Sequence, residues 1–410
     1  MWELVYKNQQ KLKSVQGRWF SEPIEGYITH LKFEGYSNKS LRGYTTLLVN
    51  FASFTEEQGT CKIDQLRQWV EPFSEHDLNP FSKERALKII NRFLGYLQKT
   101  GVIPKVKIKV IPFARTLSLY EVFLREIRGL KPNTVSGQIS YCSKFLRYLQ
   151  DLGVTRIRSI NQDIIVTFIV SESKRCARKT MINKCVVLRK FLSYLHSKGK
   201  IRKDLSAVIA VPRLFKHERC PRYLNSAEIE YVLTSIDRNS AAGKRDYAML
   251  LLLATYGLRS IEVIHLSLND IDWRANKLHI RKRKSGNSSV YPLSAAVGNA
   301  ILDYLKDVRP QKGYRPIFLS LNPPHKPYRG AGVVQRIAKK YIHLAGFDVI
   351  GVGSHIFRYS CAQRLFEDDF RLKVIGDYLG HRDLDTTRRY MKIDIKHLRE
   401  VALNDGEGLL

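Results

Sequence analysis

The sequence predicts a mainly α-helical protein with one small antiparallel β-sheet, organised as two tandem helical bundles followed by a larger third domain. Three observations predict it. The first half of the chain repeats itself, apolar residues recur at helical spacing through most of the sequence, and a single stretch, residues 277–293, alternates as short strands do.

The repeat appears when the chain is slid over itself by 94 positions, the distance from Ser40 to Thr134. Ser40, Leu41, Phe51, Phe54, Gly59 and Ile63 then fall on Thr134, Val135, Phe145, Tyr148, Gly153 and Ile157, which keeps the apolar spacing and the helix-ending glycine. Further on the offset becomes 98. There Arg92-Phe-Leu-Gly-Tyr-Leu-Gln-Lys-Thr-Gly101 matches Lys190-Phe-Leu-Ser-Tyr-Leu-His-Ser-Lys-Gly199, a basic helix with an apolar stripe and a glycine stop. Two amphipathic helices often look alike, but two matched helices with a matched turn imply two copies of one small bundle. Two basic connectors bounded by prolines, residues 103–112 and 211–221, separate the copies and lead into the third domain. The expected domains are therefore 1–110, 111–212 and 213–410.

The third domain opens with Asn225 and Glu228 spaced as a capping box, ahead of Ile229, Val232, Leu233 and Ile236 at helical spacing. A long apolar run, residues 247–258, reads as a buried helix that stops at Gly257. Two short strands follow, residues 278–282 and 289–293, joined by a turn at residues 285–287. Most of the remainder is helical.

Composition narrows the function. Of 410 residues, 69 are Lys or Arg and 38 are Asp or Glu, a formal charge of +31, and such an excess is best tolerated against a polyanion, so nucleic acid is the leading partner. The longest apolar run falls short of the ~20 residues a membrane span requires, and no secretory signal is visible, so no membrane partner and a cytoplasmic, nucleoid-associated location are expected. The six cysteines, Cys61, Cys142, Cys176, Cys185, Cys220 and Cys361, lack the close pairing of a zinc or redox motif and read as reduced thiols.

Four stretches of the third domain carry candidate chemistry. Thr255-Tyr-Gly-Leu-Arg-Ser-Ile-Glu262 puts an arginine just past a buried helix and a carboxylate one turn on; Lys284 lies in the hairpin, eight positions before Pro292; Ser354-His-Ile-Phe-Arg358 puts His and Arg one helical turn apart; and Leu379-Gly-His-Arg-Asp-Leu-Asp-Thr-Thr-Arg-Arg-Tyr390 puts a tyrosine nine positions after a histidine. Singly, each is common as a salt-bridged helix end or a surface residue. Together and in this order they resemble the tyrosine recombinase (phage integrase) family, through its G-L-R-x-x-E, hairpin lysine, H-x-x-R and L-G-H-x-x-x-x-T-T-x-x-Y motifs. The resemblance implies catalytic roles for Arg259, Lys284, His355, Arg358, His381 and Tyr390, with Tyr390 the nucleophile and Glu262 orienting Arg259. It also implies that the second bundle is a SAM-like core-binding domain and that the third is the catalytic domain. Two departures stand out: Tyr359-Ser360 follows Arg358 where many relatives carry His or Thr, and Tyr291 stands between Val290 and Pro292 in the second strand.

A phosphodiester repels nucleophiles, and attack on it places extra charge on the non-bridging oxygens, which two arginines and two histidines are suited to neutralise without a metal. No cofactor and no metal is expected, because the nearby acids Glu367, Asp368 and Asp369 do not form a convincing metal-binding set. The implied partners are double-stranded DNA at specific sites, a homo-tetramer in the synaptic complex, and sister recombinases or DNA-bending factors. Residues 392–403 form an amphipathic pattern that by resemblance docks on a neighbouring protomer. The longer N-terminal half points to a mobile-element recombinase. A type IB topoisomerase-like enzyme and a catalytically silent DNA-binding accessory protein are the alternatives.

Overall fold

The computed structural model describes residues 15–75, 80–104, 113–212, 222–281, 288–347 and 353–380. Both proline-bounded connectors, the hairpin turn with Lys284, and the segment from His381 through Tyr390 to the C-terminal amphipathic stretch lie largely or wholly outside them. The chain divides into two compact units, residues 104–216 and the remainder. Among the described residues three large apolar cores are present, one in each bundle and one in the third domain, with a smaller cluster of Cys361, Ala362, Ile375 and Leu379 beside the last.

The repeat is realised helix for helix. In the first bundle α1 (Ser21–Phe33), α2 (Asn38–Glu57), α3 (Val70–Glu75) and α4 (Pro80–Lys99) surround Tyr27, Phe51, Phe93 and Leu97. In the second, α5 (Ala114–Val122), α6 (Pro132–Asp151), α7 (Gln162–Ser173) and α8 (Arg178–Ser197) surround Tyr120, Phe145, Phe168 and Phe191. Helices α2 and α6 are both 20 residues long and stand 94 positions apart, while α4 and α8, also 20 residues each, stand 98 apart. Gly59, Gly153, Gly101 and Gly199 each take a positive φ just beyond these helices, the left-handed conformation that closes a helix with least strain in glycine. Ile63 and Ile157 each open a 3₁₀ turn after the stop.

One buried carboxylate organises the second bundle. Glu172 on α7 is paired with Lys144 of α6 at 2.6 Å and Lys184 of α8 at 2.8 Å, and Lys184 also lies over the Tyr141 ring. Burial alone would raise the Glu172 pKa, but the two lysine hydrogen bonds outweigh it and the net shift is downward.

The third domain begins with α9 (Ser226–Thr234), where the capping box forms: the Asn225 side chain accepts from the Glu228 amide and the Glu228 carboxylate accepts from the Asn225 amide, both at 2.8 Å. The central helix α10 (Ala241–Tyr256) is buried along residues 248–250 and 252–254 and packs against α12 (Ala295–Asp307), α13 (Gly332–Leu344) and α14 (His355–Glu367). Between α10 and α12 come the short α11 (Ser260–His265) and an antiparallel sheet in the order β1 (Ile271–Asp272), β2 (Lys277–Ile280), β3 (Ser289–Pro292). The sequence predicted two strands; β1, only two residues long, gave no alternation to detect, while β2 begins one residue before its expected start and ends at Ile280, residue 282 lying outside the described residues, and β3 begins at Ser289 as expected and ends one residue early. In the β2–β3 register Leu278 faces Tyr291, and both side chains enter the core while Val290 stays exposed.

The first bundle touches the third domain inside one compact unit. The Tyr36 hydroxyl donates to the Pro323 carbonyl at 2.9 Å, and Glu34, paired with Arg92 at 3.0 Å, reaches Lys326 at 3.9 Å. Among the described residues no helix is long and apolar enough to cross a membrane.

Candidate active site

The site is assembled from helix ends. Helix α10 stops at Gly257, whose φ of +59° turns the chain while its amide bonds back to Leu253. A β-carbon at this glycine would lie 2.7 Å from Leu379 Cδ2 and 3.0 Å from Cys361 Sγ, so the glycine is required both by conformation and by the closeness of the two helices packed on it. The turn drops Leu258 into the core and delivers Arg259 in extended conformation to the start of α11. Glu262, almost fully buried, then fixes the arginine at two points, accepting from its backbone amide at 2.9 Å and from Nη1 at 2.8 Å. Glu262 stands at the third position of α11 and reaches back to the residue that precedes the helix, so local spacing brings this pair together, as the motif implied.

Helix α14 supplies the second arginine. Arg358 is only 3% exposed, and its two terminal nitrogens donate to the carbonyls of Gly257 at 2.7 Å and Leu379 at 2.6 Å. Arg259 Nη2 donates to the Gly380 carbonyl at 3.1 Å. Both arginines therefore converge on the C-terminal end of α15 (Leu372–Leu379), where the last carbonyls and the helix dipole concentrate negative charge. His355 opens α14 on an exposed position, its ring 6.2 Å from that of Tyr359. The structure thus brings Arg259, Glu262 and Arg358 into one frame, with His355 one turn before Arg358. Lys284, His381 and Tyr390 lie outside the described residues; Gly380, the last described residue, immediately precedes His381.

Several supporting residues carried no motif. Gln335 on α13 accepts from the Ser354 amide at 3.0 Å, Ser354 and Ser260 share a hydrogen bond between hydroxyls, and Arg364 Nη2 reaches the carbonyls of Ala254 and Thr255 at the end of α10. Gly353 leaves room for Gln335, whose Oε1 would lie 1.8 Å from a β-carbon there. Ser360, one of the departures from the family pattern, accepts from the Leu224 amide at 2.8 Å and so anchors the domain's first residues to α14. Burial pushes the Cys361 thiol up in spite of Arg364 and Arg358 beside it, so the thiol stays protonated and serves packing. Among the described residues no group of three or more His, Cys, Asp or Glu could hold a metal ion.

Residues 222–397 match the model of the phage integrase family. The chain is 29% identical over 373 residues to the integrase/recombinase y4rA of Sinorhizobium fredii, covering 90% of each chain. A second protein of that organism, the integrase/recombinase y4gC, is 38% identical over 186 residues, 45% of this chain and 95% of the relative. The fold resembles that of the XerH site-specific recombinase in a post-cleavage complex with its difH substrate, with a TM-score of 0.54 at 19% identity over 70% of this chain and 84% of the other. With the paired arginines at the end of α15 and the L-G-H to tyrosine motif directly beyond it, these likenesses are decisive: the chain belongs to the phage integrase family and is a tyrosine site-specific recombinase.

Proposed function

We propose that this recombinase cuts and rejoins duplex DNA at the ends of a mobile element, through a 3′-phosphotyrosine on Tyr390. The observation that carries this reading is the convergence of Arg259 and Arg358 on the carbonyls of Leu379 and Gly380, one residue before the His381 to Tyr390 motif. Two guanidinium groups so held stay charged at any physiological pH and can take the non-bridging oxygens of a phosphate in a fixed geometry. Tyr390 attacks phosphorus, forming the new phenolic O–P bond as the bond to the 5′-oxygen breaks. Its phenol, with an ordinary pKa near ~10, passes its proton to His355, Lys284 protonates the departing 5′-oxygen, and His381 adds a donor to the phosphate. The phosphotyrosine keeps the bond energy, so a second strand's 5′-hydroxyl reverses the step without ATP.

The charge of +31 suits a protein that wraps a duplex, and the helical bundles supply further basic surface for the backbone. Residues 1–110 are the added module, 111–212 the core-binding domain and 213–410 the catalytic domain, and the added module favours a mobile-element role. Four protomers form the synaptic complex, each tail from residue 393 onward docked on its neighbour. Deleting residues 393–410 therefore abolishes tetrameric synapsis on DNA, and sizing of the complexes checks it.

The deciding experiment incubates the purified protein with labelled, nicked duplex bearing the element's ends, in chelator, beside Tyr390→Phe. A covalent protein–DNA band that is absent with the variant is expected. Binding without an adduct on any end sequence would instead support a silent accessory protein.

A further inference from the structure

Three side chains, from three different elements, take the last carbonyls of α15. An α-helix leaves its final carbonyls without partners of its own, and here the Gly380 amide folds back on those of Gly376 and Asp377. The next three are met in order by the Tyr291 hydroxyl at Tyr378, by Arg358 at Leu379 and by Arg259 at Gly380. Tyr291 is the residue that departs from the family's strand pattern. It is buried, its ring centroid 5.3 Å from that of Tyr256 and 5.0 Å from that of Tyr378. Tyr256 in turn donates to the Pro292 carbonyl at 2.9 Å and accepts from the Ser294 amide at 3.0 Å, which fastens the end of β3 to the end of α10. The contacts close a ring, from Arg358 through Gly257 and its neighbour Tyr256 to Pro292, through Tyr291 to Tyr378, and back through Leu379 to Arg358.

We propose that Tyr291 is a positioning residue: by holding the last turn of α15 to strand β3, its hydroxyl sets the carbonyls against which Arg259 and Arg358 are aligned for the phosphate. Ring contacts, edge-on between Tyr291 and Tyr378 and tilted between Tyr256 and Tyr291, set a separation more than a register, whereas a hydrogen bond to one carbonyl sets both. Displacement of a charged group by about 1 Å costs on the order of 100-fold in rate. The inference rests on the recombinase reading of the site.

The test compares Tyr291→Phe, which keeps the ring and loses the hydroxyl, with the unaltered protein on two nicked duplexes, one with an ordinary scissile phosphate and one with an uncharged methylphosphonate in its place. The neutral group has little need of aligned arginines. The variant is expected to bind DNA with unchanged affinity, to cleave the ordinary substrate roughly 10- to 100-fold more slowly, and to lose most of that deficit on the methylphosphonate. Equal slowing on both substrates would mean a general structural role and overturn the proposal, as would an unchanged rate on the ordinary one. No adduct from the unaltered protein on either duplex would overturn the recombinase reading itself, and the inference with it.

Discussion

Glu172 ties part of the second bundle's stability to pH. It is buried between two lysines, and its pKa is lowered on folding, so the carboxylate is favoured in the folded state. A group of this kind stabilises above its ordinary pKa of 4.5, and the contribution is lost as pH falls through the lowered folded value. Substituting Glu172→Gln is therefore expected to reduce thermal stability at pH 7, by about 1–3 kcal/mol for a partly shielded charged pair. As pH falls below 4.5 the gap to the unaltered protein should narrow, and melting curves across pH 3–7 would reveal it; a constant gap would refute the assignment. The same reasoning at the active site is about geometry and not titration, since Arg259 and Arg358 are held by a carboxylate and three carbonyls that fix their direction.

At the scale of elements, glycines with the same backbone conformation do different work. Gly153 and Gly257 both follow a helix with positive φ, but a β-carbon at Gly153 would meet nothing within 4 Å, while one at Gly257 would collide with Leu379 and Cys361. Gly153→Ala should cost about 1–2 kcal/mol from backbone strain alone. Gly257→Ala adds overpacking of about 1–3 kcal/mol, and it should also abolish cleavage, because it drives apart the helix ends that hold both arginines. Chemical denaturation of the two variants and adduct formation by each would check the contrast, which fails if both lose the same stability and Gly257→Ala still cleaves. Much of this level was legible beforehand: the capping box at Asn225, the glycine stops and the two repeat offsets are local features, and local sequence carries them. Strand β1 was not, because a two-residue strand exists only through its pairing with β2.

For the whole molecule the net charge of +31 is the leading property. If the chain neutralises six or more phosphates, its affinity for duplex DNA should fall about 10³-fold between 50 and 200 mM salt, a slope that fluorescence anisotropy measures directly; affinity insensitive to salt would remove charge as the basis of binding. Sequence by itself determined the family motifs, the tandem bundles and the candidates Arg259, Glu262, His355 and Arg358, because these depend on spacing within one helix or on residue type at fixed intervals. Only the tertiary structure decided that Tyr291, Gln335, Ser260 and Arg364 support the site, that Glu172 joins three helices, and that Tyr36 and Glu34 of the first bundle meet the loop at Pro323 and Lys326. These contacts join residues far apart in the chain, and no periodicity encodes them: a tyrosine in a strand looks the same in sequence whether its hydroxyl meets water or the end of a helix 87 positions away.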